Sequence, residues 1–245
     1  MRNALLIAQR EFRSYFRSPL GSIVAAVMLL LEGLLFQVGA MGGQGAGKAK
    51  LSAEVLSDFF YYTSGVTMIG AIALSMRLIA HEREKGTLIL INTAPVKDRE
   101  IVLGKFLALF TFLFGVTALT AYMPALIFVN GRVSVGHILV GYLGILLIGG
   151  AAVAIGLFAS AFARTQVIAA VLGAAVLGVL LLLWMAAKVA DAPVNNFLLS
   201  LAIHHERQRS FMLGTLRLEN ILYYVGVIYF FLLAATKTLE ARRWR

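Results

Sequence analysis

Apolar residues along this chain gather into six long blocks separated by short polar stretches. A bilayer core takes about 20 mostly apolar residues per helix. Residues 20–40, 59–79, 101–129, 137–162, 166–187 and 221–236 meet or approach that length. The first block is broken only by Glu32 and Gln37, and the second carries one charge, Arg77, near its end. The third holds Lys105 near one end and Pro124 near the other. The sixth is short, but Asn220 and Lys237 are placed to sit at its two interfaces. The pattern predicts six transmembrane helices, an all-α integral membrane protein with both termini on one side.

Residues 1–19 follow a different rhythm. On a helix, Leu5, Ala8, Phe12, Tyr15 and Phe16 share one face, and Arg10, Arg13 and Arg17 fall opposite. This is the pattern of an amphipathic helix lying on a membrane surface, its arginines toward lipid phosphates or a partner. Pro19 and Gly21 then let the chain turn into the first span. The same arginines interrupt the first twenty residues before any apolar run, unlike a cleaved signal peptide.

Composition agrees with the blocks. Of 245 residues, 60% are hydrophobic and 14% charged, with a mean hydropathy of +0.85, too little charge for a soluble surface. The absence of cysteine excludes disulfides, thiolate metal sites and cysteine nucleophiles. A net charge of +10 would suit nucleic acid, but here the basic residues flank apolar blocks and follow membrane orientation. With both termini inside, 15 of the 22 lysines and arginines are cytoplasmic, leaving Lys48, Lys50, Arg132, Lys188, Arg207, Arg209 and Arg217 outside. The expected topology is therefore N-in, C-in, with no nucleic-acid partner.

Candidate chemistry is sparse. MGGQGAGKAK, residues 41–50, nearly matches a phosphate-binding loop. It follows an apolar span rather than a strand, lies on the outer side, and has Ala49 where a magnesium-binding Ser or Thr belongs. It reads as a flexible connector. Glu32 is the acid inside an apolar block; it faces a pathway or sits protonated or hydrogen-bonded within the bundle. Gly149, Gly150, Ala152, Gly156, Ala159 and Ser160 read as a close-packing face of the fourth span. The outer stretch 188–220 contains HHERQRSF, but adjacent histidines diverge on a helix and no metal-ligand spacing accompanies them. Phe197, Leu201, His204, Gln208 and Phe211 share helical spacing, which predicts an interfacial outer helix. No serine–histidine pair, paired carboxylates or ligand set clusters at one depth, so an intramembrane enzyme is the weakest reading.

The most informative stretch is RLIAHEREKGTLILINTAPVKDREIVLGK, residues 77–105. Charges at 81–85 precede a short apolar segment, and Pro95 disfavours helix at Ala94. Asp98 is a plausible N-cap for the third span. A short helix over 86–93 is expected across the cytoplasmic face, with Leu88 and Ile91 able to fill a groove on a soluble partner. Read alone, the stretch fits either this or a solvated loop.

E-R-E-K-G-T-L-x-L-x-x-T-A-P-V followed by I-V-L-G-K closely resembles the coupling region of type-2 (ABC-2 type) ABC transporter permeases, and six spans behind an amphipathic start fit that family along the chain. The ending LEARRWR, 239–245, resembles the gliding-motility-associated subgroup. The resemblance implies a single transmembrane domain over 1–245, with a coupling region at 80–98. It implies a bacterial cytoplasmic (inner) membrane location and a dimer with a second or homologous permease. It further implies docking to a cytoplasmic ABC ATPase through Glu82, Arg83, Glu84, Gly86, Thr87, Leu88 and Ile91. ATP and magnesium would belong to that ATPase, leaving this chain without cofactor or catalytic residue. Phe197, Leu201 and Phe211 fall where the family has an outer gate helix. Export of a substrate is the leading expectation. Mechanical work on an extracytoplasmic partner is the alternative.

Overall fold

The computed structural model describes residues 2–40, 51–87, 96–130 and 133–243, and among these there are eleven helices and no strand. They are α1 (Arg2–Arg17), α2 (Pro19–Ala40), α3 (Ser52–Ser75), α4 (Ala80–Glu84), α5 (Asp98–Leu119), α6 (Tyr122–Asn130), α7 (Val135–Phe162), α8 (Gln166–Ala187), α9 (Val194–Leu201), α10 (His205–Met212) and α11 (Leu218–Arg243). Six stretches are long and apolar enough to cross a membrane: α2, α3 with α4, α5 with α6, α7, α8 and α11. The glycine loop 41–50 and the segment 88–95 lie outside the described residues.

Local chemistry sets the element ends. Ser134 Oγ accepts from the His137 amide (3.1 Å), and Thr165 Oγ1 accepts from that of Ile168 (3.4 Å), so side chains cap the first turns of α7 and α8. Asp98 is not the cap of the third span but its first helical residue. Glu100 instead reaches back to the Lys97 amide at 3.4 Å. That span is not one helix either. Pro124 has no N–H and its ring excludes the carbonyl four residues back, so the helix breaks at Thr120–Ala121 and restarts as α6.

The second span begins seven residues earlier than its apolar block, because the polar turn from Ser52 already winds as helix. It ends at Ser75, short of the predicted Ile79. All but the first two residues of the helix expected over 86–93 lie outside the described residues; ahead of it a separate short helix, α4, ends at Glu84, and Gly86 has φ of +71°.

α7 is the central post, packed against α3, α5, α8, α10 and α11. Its small residues permit this, since a Cβ at Gly156 would collide with Ser75 Oγ and one at Gly141 with the Phe60 ring. Inside lipid such contacts act through dispersion rather than water exclusion. α2, α8 and α11 stand at the rim with long apolar faces turned outward. α1, α4 and the end of α11 gather at one end of the bundle, here called basal; α9 and α10 lie at the distal end.

Candidate functional site

The basal end is organised around a buried lysine. Lys105 lies in the second turn of α5, where its side chain is 2% exposed. Its ammonium donates to Glu82 Oε1 at 2.7 Å and to Glu11 Oε1 at 3.4 Å. An uncompensated ammonium at this depth would cost several kcal/mol, roughly. Two carboxylates from separate elements compensate it here. Burial pushes the Glu11 carboxyl up, but Lys105 and then Arg10 outweigh that and hold it below the usual glutamate range. Glu11 comes from α1 and Glu82 from α4, so one cation ties both to the third span.

α1 reaches the lysine because Gly104 opens the surface of α5. A Cβ there would stand 2.8 Å from Ala4 O and from the Ile7 side chain. The bundle-facing side of α1 is thus led by Ala4, Ile7, Glu11 and Tyr15, whereas Leu5 is 63% exposed. Tyr15 and Phe16 pack on Phe112 with ring centroids 5.2 and 5.3 Å apart, and Phe12 packs on Phe16. Arg10, Arg13 and Arg17 are exposed. A cavity of about 90 Å³ opens beside Lys105, bounded by Ser14, Ser18, Arg77 and His81 among others. There Arg77 donates to Ser18 Oγ at 3.3 Å.

The chain between α3 and α4 is held by Ser160 of α7. Its hydroxyl accepts from the Ile79 and Ala80 amides (3.0 and 2.9 Å) and donates to Met76 O at 3.0 Å. One side chain thereby satisfies backbone groups freed where α3 ends. Arg83 turns inward to the carbonyls that end α7, donating to Ala161 O at 3.0 Å and also to Ala163 O. Arg242 of α11 does the same to Phe162 O. Cations are favourable at that helix end. Gln166, at the start of α8, donates to His81 Nδ1 and Glu84 Oε2, each at 2.8 Å, so the neutral His81 ring carries its proton on Nε2.

The residues expected to dock a partner therefore divide. Glu82 and Arg83 point into the bundle as internal ties. Glu84, Lys85, Gly86 and Thr87 form the exposed tip, with Thr87 Oγ1 donating to Glu82 O at 3.2 Å. Leu88 and Ile91 lie outside the described residues. Sequence reading missed Ser160 and Gln166 as ties and Lys105 as the hub. The signal for Lys105 was a cation inside an apolar block, which requires a carboxylate partner.

At the distal end the expected single interfacial helix is two helices broken at Ala202–His204. α9 exposes Phe197 and, partly, Leu201, but α10 is drawn inside: Gln208 and Phe211 are fully buried. Polar side chains make this tolerable. The fully buried Tyr224 donates to Ile203 O at 2.6 Å and has Gln208 Oε1 3.2 Å from its hydroxyl. His204 lies 3.0 Å from Ser64 Oγ. Since that hydroxyl donates to Tyr61 O (2.7 Å), His204 Nε2 is the donor. His205 turns away and stacks on Trp184 at 4.1 Å. Glu32 of α2, finally, is 1% exposed.

Among the described residues the basal arrangement sets no nucleophile beside a base. What it can do is transmit displacement: α1, α4, α5 and the α7–α8 junction cannot move independently while these ties hold. A search of curated proteins found no match. The model of the ABC-2 family transporter proteins matches residues 5–239, nearly the whole of this six-span helical chain, and the chain belongs to that family.

Proposed function

We propose that this chain is the permease subunit of an ATP-driven exporter, placed in the bacterial cytoplasmic membrane with its basal end in the cytoplasm. A separate ABC ATPase docks on the exposed tip at Glu84, Lys85, Gly86 and Thr87, extended by Leu88 and Ile91. Glu82 and Arg83 carry the resulting movement inward. The observation that supports this most is Lys105 bridging Glu82 and Glu11, because it joins the tip rigidly to α1 and to a membrane span. ATP and magnesium stay with the partner. A second permease copy covers part of the outward apolar faces of α2, α8 and α11, and α1 rests its arginines among lipid phosphates.

Charge reversal at Glu84 together with Leu88→Asp tests the docking. Glu84 lies apart from the Lys105 ties, so the variant should remain folded in the membrane and lose co-purification of the ATPase. Undiminished association of that folded variant overturns the assignment.

A further inference from the structure

The middle of the bundle holds a polar site that the basal machinery does not use. α2 and α3 run against each other in a register marked by two contacts. Met28 fills the notch at Gly70, where a Cβ would collide with its sulfur, and Phe36 packs on Phe59 with centroids 5.8 Å apart. Met28, Glu32 and Phe36 are spaced i, i+4, i+8, hence on one face of α2. Phe59, Thr63, Thr67 and Gly70 likewise follow one face of α3. Glu32 therefore stands between the two contacts, at the level of Thr63 and Thr67.

All of these polar groups are buried and unsatisfied. Glu32, Thr63 and Thr67 are 1%, 1% and 2% exposed. Both carboxyl oxygens and both threonine hydroxyls lack a hydrogen-bond partner. The threonines depart from the habit of this chain: Thr120, Thr236 and Thr238 each donate to a carbonyl one turn back, as helical hydroxyls ordinarily do.

We propose that Glu32, with the hydroxyls of Thr63 and Thr67, forms an occluded site for one monovalent cation, a proton or a sodium ion, between α2 and α3. Charge balance selects the valence. A bare carboxylate in lipid is costly, and among the described residues no lysine, arginine or histidine stands against this one. A single positive charge neutralises it, whereas a divalent ion would leave an excess charge equally buried. Four oxygens without a nitrogen or sulfur among them suit a hard cation. Met28 closes the site on the basal side, and Phe36 with Phe59 closes it on the distal side.

The titratable neighbours are few. Tyr142 of α7 interacts electrostatically with Glu32, and its hydroxyl lies 3.1 Å from Thr120 Oγ1. On α3, Glu54, Asp58, Tyr61 and Tyr62 lie beyond Phe59; Tyr122 of α6 is exposed; Glu11 and Tyr15 of α1 lie on the basal side. The oxygens of the site come from α2 and α3, and α7 borders it where the Thr67 methyl packs at Gly149.

Dicyclohexylcarbodiimide, which reacts with carboxyl groups in apolar surroundings, tests the site in membranes containing the full chain. Labelling of the Glu32 peptide is read by mass spectrometry, with Glu32→Gln as the blank. Severalfold protection by sodium chloride over choline chloride identifies sodium. A rate indifferent to sodium but falling about tenfold per pH unit as pH rises identifies the proton. Labelling that responds to neither condition overturns the proposal, leaving a permanently neutral structural acid. If the reagent cannot enter, infrared difference spectra referenced to Glu32→Gln read the same carboxyl directly, and a spectrum unchanged by pH and sodium overturns it equally. Thr63→Val and Thr67→Val should each shift the midpoint of the response. A midpoint unmoved in both overturns the assigned ligand set.

Discussion

Replacing Lys105 by methionine removes the charge at the hub while keeping most of the side-chain volume. Glu82 and Glu11 then face each other across the vacated ammonium position without a counter-charge. Breaking a buried pair by removing one partner costs about 3–5 kcal/mol. Here Glu82 and Glu11 are 17% and 18% exposed and regain part of their hydration, which places the loss near the lower bound, about 3 kcal/mol. For a chain of 245 residues that corresponds to a fall in Tm of about 6–12 °C. Glu82→Gln should cost less, about 1–2 kcal/mol, because an acceptor remains and Glu11 still balances the lysine. The assay is thermal unfolding of the purified protein in detergent, followed by intrinsic fluorescence. A double-mutant cycle over Lys105→Met and Glu82→Gln then isolates their interaction. A Tm for Lys105→Met within a degree or so of the parent refutes the reasoning. So does a coupling below about 0.5 kcal/mol, since the two residues would then act independently.

Two further outcomes follow from the packing and the distal end. Burial, and secondarily His205, push the His204 imidazole down to about 4, below its ordinary value near 6.5. The folded chain therefore keeps the ring neutral where the unfolded chain takes up a proton, so its contribution is complete above about pH 6.5 and is lost as pH falls toward 4. Between about pH 7 and pH 5 this amounts to about 2 kcal/mol. Melting curves of the parent and His204→Gln should diverge above that window and converge at its acid end; parallel curves contradict the buried, neutral ring. Gly104→Val puts a branched side chain where Ala4 O and Ile7 already lie within 2.8 Å of the first added carbon. It should cost about 1–3 kcal/mol and lift α1, seen as faster tryptic cleavage at Arg10 and Arg13. Unchanged cleavage counts against close docking of α1.

Several of these side chains were visible in the sequence only as types. Lys105 was a charge near the end of a block, Ser160 one member of a small-residue face, and Glu82 and Arg83 part of a charge run that the coupling resemblance assigned to a partner. Their roles depend on which elements meet. Ser160 bonds chain some 80 positions away, and Lys105 meets Glu11 across 94 positions. The burial of α10 was hidden for a similar reason. HERQRS is polar enough to predict an interface, and Tyr224 and Asn220, brought in from α11, supply partners that let it sit inside.

The sequence by itself determined the six apolar stretches and the amphipathic start. These follow from hydrophobic length and helical period, each a property of neighbouring residues. Tertiary structure alone decided that Glu82 and Arg83 face inward while Glu84 to Thr87 face outward. It also decided that Glu32, Thr63 and Thr67 are buried without hydrogen-bond partners, and that Lys105 of the third span meets two carboxylates. Each depends on helices meeting in a particular register, and in lipid that register comes from close packing at glycines such as Gly70, Gly104 and Gly156. Hydropathy marks which helices enter the membrane, not which faces touch.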